Sequence, residues 1–161
     1  MSSTLPSTVL RAPARMLLVL VASLALLAGF SAGPAAPSAD AATTTGAKAV
    51  AAAATRAGMP YVYGATGPTR FDCSGLTQWS YRQAGRTLPR TAAQQRAALP
   101  KIPTKSLRPG DLVFFHNSSG AVYHVGIYAG NWQIWDSPKP GRVVSKRTIW
   151  AKSGVTWGRV A

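Results

Sequence analysis

Residues 107–136 read LRPGDLVFFHNSSGAVYHVGIYAGNWQIWD, and within them the hydrophobic pattern changes its period. The Pro109-Gly110 pair marks a turn. Beyond it apolar residues alternate with polar ones, the repeat of strands with one buried face. Strands are predicted at Asp111–His116, Tyr123–Tyr128, Gln133–Asp136, Val143–Arg147 and Val155–Val160, separated by NSSG, AGN and PKPG. Upstream the signals are helical. Residues 45–58, TGAKAVAAAATRAG, form an Ala-rich run with Thr in front and Gly behind, and a short extended piece, PYVYG, follows. Cys73–Gly85 is predicted as a second helix, capped by Asp72, with Leu76, Trp79 and Gln83 at helical spacing and Gly85 as its stop. Residues 89–98, PRTAAQQRAA, allow a third and shorter helix capped by Thr91. Helices first and an antiparallel sheet of about five strands afterwards make an α+β fold.

The chain has 161 residues, the length of one domain, with 18 Lys and Arg against four acids. Its 47% of hydrophobic residues is too apolar for a disordered polycation. One Cys excludes an internal disulfide, and one Cys with two His cannot supply the ligands of a structural zinc site.

Arg11 and Arg15 precede an uncharged apolar run, residues 16–30, and then a small, Pro-rich stretch. That order is a secretory signal. Ala39-Asp40-Ala41 offers the small-x-small cleavage pattern, with Ala36 and Ala42 as alternative positions. The run of 15 residues is shorter than the ~20 of a spanning helix, so removal is expected rather than anchoring. The expected organisation is therefore a signal peptide at 1–41 and one domain at 42–161. Without the first 41 residues the chain keeps 16 basic and three acidic side chains, a net charge of +13. Outside the cytoplasm the matching polyanion is a cell wall rich in carboxylates and phosphates, attracted at long range and screened by salt.

The chemistry gathers on Cys73. On the first turn of its helix, unpaired backbone N–H groups and the positive dipole end favour a thiolate and can receive an oxyanion. A nucleophilic thiol needs a base. In YHVGIYAG, alternation puts His124, Gly126 and Tyr128 on one face and Val125 and Ile127 on the core face. His116, at a strand end beside a loop, is expected to be solvated. Asp136 is the candidate that orients the imidazole, because the acids at 72 and 111 have capping and turn roles. A three-residue loop, Ala129–Asn131, would pair Tyr128 with Trp132 and set His124 opposite Asp136 on one face; a two-residue loop would separate them.

GMPYVYG, FDCSGL, LPRTAAQQ, LRPGDLVFF and YHVGIYAGN occur in that order. Together they resemble the successive motifs of the NlpC-type cell-wall peptidases, a family of papain-like cysteine peptidases that cut peptidoglycan stem peptides. The resemblance covers about residues 45–160. It implies Cys73 as nucleophile, His124 as base and Asp136, five residues beyond Gly130-Asn131, as third member, where many relatives carry His or an amide. It also places Tyr61 near the nucleophile as a holder of substrate or oxyanion and Asp72 toward the free amino group of the stem peptide, with Ser74 in the same substrate group. The implied reaction is hydrolysis of the bond between D-γ-glutamyl and a diamino acid such as meso-diaminopimelate or Lys.

On this resemblance the expected partners are peptidoglycan stem peptides and anionic wall polymers, with no nucleic acid, no membrane anchor after signal removal, and no metal or organic cofactor. The expected state is a secreted or wall-bound monomer. Three alternatives stay open: a Cys-His amidase or cross-bridge endopeptidase, a non-catalytic wall-binding module, and a basic protein acting on nucleic acid or membranes.

Overall fold

In the computed structural model the described residues are Met1, 39–151 and 153–161, with side chains from Thr44 onward; the expected signal segment lies almost wholly outside them. No helix among the described residues is long and apolar enough to cross a membrane. Three helices, α1 (Ala39–Ala54), α2 (Cys73–Gln83) and α3 (Ala92–Ala98), precede a short 3-10 turn and five strands. The strands are β1 (Leu112–His116), β2 (Val122–Gly130), β3 (Gln133–Asp136), β4 (Ser145–Thr148) and β5 (Val155–Gly158). All pair antiparallel in the order β4-β3-β2-β1-β5. The α+β arrangement expected from the period change is the one observed.

Alternation along β1 and β2 divides the core. Leu112, Phe114, Val125 and Ile127 join Ala49, Ala53 and Tyr81 from the helices, while Val113 and Phe115 pack with Ile134, Ile149 and Trp157. At ~1.5–3 kcal/mol for each buried large apolar side chain, the first cluster is the main force holding helices to sheet, while the second packs the other face of the sheet. The helix-to-strand turn is pinned where α1 passes over it. A Cβ on Gly110, at φ 102°, would lie 2.2 Å from the Cα of Gly46, so neither glycine tolerates a side chain.

Several boundaries move, each for a local reason. α1 starts at Ala39, within the expected cleavage region, because its alanines extend the helix backward; it ends at Ala54, where turns lead to Gly58 at φ 82°. β4 begins at Ser145 rather than Val143, because Val143 and Val144 bond to the segment before Tyr61: Val144 donates to the carbonyl of Met59, and Gly58 to that of Val144.

The β2–β3 hairpin is a correction. Its turn has two residues, Asn131 and Trp132, at φ 50° and 59°, and not the expected three. A two-residue turn alone would put His124 and Asp136 on opposite faces. One extra residue in β2 between Tyr128 and Gly130 shifts the register and restores the parity. Tyr128 pairs with Ile134 and Ile127 with Trp135, so Asp136 stands diagonal to His124, not opposite it.

Candidate active site

The nucleophile candidate is placed by a helix cap. Asp72, N-cap of α2, accepts from the backbone N–H of Gly75 at 2.7 Å, which starts the helix at Cys73. Gly75 is required there, since a Cβ would lie 2.1 Å from the carbonyl oxygen of Ala65. Cys73 is half-buried and free.

His124 reaches the same place from β2. It is 5% exposed, and its Nε2 lies 2.8 Å from Oδ2 of Asp136, which is fully buried. Cys73 is the other side chain that acts on it, raising its pKa. With Nε2 held by the carboxylate, Nδ1 is the ring nitrogen left for the thiol. Burial works against a charged imidazole, but Asp136 and Cys73 outweigh it and raise the pKa of His124 to about 9. The arrangement brings the candidate nucleophile, base and orienting carboxylate to one place. Gly126 leaves room beside it: it stands across from Asp136, and a Cβ would come within 3.3 Å of that residue's Cβ and 3.2 Å of the carbonyl of Trp135, a tight fit.

Asp136 has a partner that sequence reasoning missed. Arg147 on β4 donates from Nε to Oδ1 at 2.9 Å and from Nη2 to Oδ2. Burial would raise the carboxyl's pKa, but His124 and Arg147 hold it below the ordinary carboxylate range. Arg147 in turn lies over the Trp150 ring at 4.7 Å, and Trp150 stacks on Phe115 with centroids 4.2 Å apart and planes within 1°.

The other expected residues gather on the Cys73 side. Tyr61, Asp72, Ser74 and Arg90 line one cavity of about 460 Å³ together with Cys73. Burial, with Cys73 and Asp72, raises the phenol of Tyr61. Asp72 does more than cap. Gly64 N–H donates to its Oδ2 at 2.9 Å, Ser74 Oγ donates to its Oδ1 at 3.2 Å, and Arg90 grips both oxygens. Burial would raise Asp72, yet Arg90 and the backbone N–H groups of Gly75 and Gly64 keep it ionised below its ordinary range. Arg90 also donates to Ser74 Oγ at 2.9 Å, so this hydroxyl belongs to the Asp72 network. His116 lies outside this group, tied to the Gly120 carbonyl at 2.9 Å and to Thr156 Oγ1 at 2.7 Å.

Comparison with known proteins supplies the family. The model of the NlpC/P60 family matches residues 58–157, which is more than half of the chain. The chain belongs to the NlpC/P60 family. The bifunctional muramidase/DL-endopeptidase CwlT of Bacillus subtilis is 46% identical over 108 residues, 64% of this chain and 33% of that protein. The solved NlpC/P60 domain of the peptidoglycan hydrolase SagA is 39% identical, with TM-score 0.59 over 64% of this chain and 88% of that one. RipD of Mycobacterium tuberculosis, described as a non-catalytic NlpC/P60 protein adapted to peptidoglycan binding, is 28% identical, with TM-score 0.62 over 73% of this chain and 98% of that one. The chain spans less than half the length of the first curated relatives that it matches. An NlpC/P60 domain can thus occur with or without catalysis, and the side chains at the site have to decide between them.

Proposed function

We propose that this NlpC/P60 chain is an exported cysteine peptidase that hydrolyses peptidoglycan stem peptides at the D-γ-glutamyl–diamino acid bond. The observation that carries the reading is His124, held by a buried carboxylate on Nε2 and near enough to the helix-terminal Cys73 for that thiol to raise its pKa. A pure binding module has no need of this arrangement.

The geometry supports a two-step reaction. Below its raised pKa, the His124 imidazolium holds Cys73 as a thiolate in an ion pair, and the sulfur attacks the amide carbonyl. The oxyanion forms at the start of α2, where the first-turn N–H groups lack intrahelical acceptors. Asp136 stabilises the imidazolium, which passes its proton to the departing amine as the C–N bond breaks. Water then attacks the thioacyl carbon with His124 as base, releasing the acid and the thiol. In this reading residues 1–41 are removed on export, and the basic surface of the monomeric domain holds it near anionic wall polymers.

The test is to incubate the chain, and Cys73→Ala beside it, with purified muropeptides of known stem composition and identify the products by mass. The expected result is a new free amino terminus on the diamino acid, absent with the variant. Cleavage at the sugar–peptide junction or a cross-bridge would replace the bond assignment. Undiminished wall lysis by Cys73→Ala, or wall binding with no cleavage by either, would replace the peptidase by a binding module.

A further inference from the structure

Two cavities meet at Tyr123, which lines both. The first contains Cys73. The second, about 400 Å³, contains His124 but not Cys73, and is lined by Lys139, Arg142, Arg147 and Trp150. Three of its side chains are basic, and the described carboxylates pair with only one of them, Arg147. Asp72 is committed to Arg90, Asp111 to Arg159, and Asp136 to His124 and Arg147. Lys139 and Arg142, both exposed, therefore form no ion pair among the described residues.

The backbone and the aromatic wall of this cavity are held in place. Arg142 closes a turn through its N–H to the carbonyl of Lys139 at 3.1 Å, and its own carbonyl accepts from Tyr61 N–H at 2.9 Å. Trp150 is clamped between Phe115 and Arg147. The backbone and the indole therefore need no rearrangement on binding, and the ordering cost falls on the exposed Lys139 and Arg142 side chains.

The chemistry assigns the sides. The acyl half of the substrate becomes bonded to Cys73 and occupies the first cavity. The leaving amine takes its proton from His124, so whatever is attached to that amine extends into the second. We propose that this cationic cavity is a leaving-group subsite that selects a diamino acid whose side chain ends in a free carboxylate, as meso-diaminopimelate does, over lysine, whose side chain ends in an ammonium alone. The proposal rests on the peptidase reading above. Lys139 and Arg142 attract the carboxylate and repel an uncompensated ammonium, so they discriminate through both terms.

The experiment uses three synthetic tetrapeptides that differ only at the third residue: meso-diaminopimelate, its side-chain amide, and lysine. The amide keeps the size of the first and the net charge of the third. The expected kcat/KM for the free carboxylate exceeds the other two by about tenfold or more, and added salt narrows the gap. In Lys139→Ala/Arg142→Ala the ratio falls toward one, with the circular dichroism spectrum retaining the fold. Equal rates on all three peptides, a preference for lysine, or an unaltered ratio in the double variant overturns the charge selection while leaving the peptidase intact. If no peptide is cut, the peptidase reading fails. Calorimetric binding of the three peptides to Cys73→Ala still decides the selection: tighter binding of the free carboxylate by about tenfold supports it, and equal binding overturns it.

Discussion

Asp111 and Asp136 are built alike at the two ends of the sheet's chemistry. Each is buried, 3% and 0% exposed, and each is gripped through both carboxylate oxygens by an arginine from another strand region, Arg159 and Arg147. The difference lies in what else each carboxylate faces. Asp111 accepts a third bond from the backbone N–H of Arg108 at 2.7 Å and borders a cavity of about 10 Å³, room for about one water. Asp136 faces the imidazole of His124, which borders a cavity forty times larger. A buried ion pair therefore says little about function by itself. Its third ligand, and whether a substrate can reach that ligand, distinguish a turn lock from part of an active site.

The contrast can be broken by substitution. Asp136→Ala is expected to lower kcat by about 10²–10⁴-fold on the cleaved muropeptide, because the imidazole loses its orientation and its counter-charge. Asp111→Ala is expected to cost about 3–5 kcal/mol in urea unfolding, leaving Arg159 without its counter-charge, while kcat per folded molecule stays within about twofold. If both substitutions lowered kcat alike, the two pairs would not differ in role.

Removing the cations instead sharpens the comparison. Arg147→Leu should lower kcat about tenfold and shift the acid limb of its pH profile, with Arg147→Lys recovering part of the loss; Arg159→Leu should lower only the melting temperature. An unchanged pH profile in Arg147→Leu would reduce Arg147 to a packing residue. The third prediction concerns proton linkage. The pKa of His124 is raised from 6.5 to about 9, so the folded state holds a proton that the unfolded chain releases between those values. That stabilisation is complete below pH 6.5 and is lost as pH rises through 9. The melting temperature should therefore fall across that window in the wild type and in Asp111→Ala, and stay flat in His124→Gln. The smallest effect belongs to the other histidine: His116→Gln should leave kcat within about twofold, since its ring bonds only to a turn carbonyl and Thr156.

Much of this was legible in the sequence because period and punctuation agreed. Gln133–Asp136 has the predicted bounds, α2 begins at the predicted Cys73, and Thr91 caps α3 with a reciprocal Gln94 bond. Asp136 stood out because the chain has so few acids. The hairpin register was hidden for a physical reason. Gly130 suggests itself as a loop residue, and two-residue turns favour Gly at the second position, whereas here Trp132 takes the positive φ and Gly130 ends the bulged strand. Face parity survived this error because the shorter turn and the extra strand residue cancel. Arg147 could not be singled out among 18 cations, since its meeting with Asp136 depends on the β3–β4 register, where Asp136 pairs with Ser145 two residues away. Lys139 read only as part of the PKPG turn, and Arg142 carried no signal, until the fold placed both beside His124 in one cavity.

Trp150 rests flat on Phe115, under the guanidinium of Arg147, and is 46% exposed at the rim of the cationic cavity. An indole in that position senses the local field, so filling the cavity with a carboxylate should change its emission. Subtracting the spectrum of Trp150→Phe isolates this signal from those of the other four tryptophans. The molecule thus carries its own optical gauge of occupancy, one that needs neither a label nor turnover.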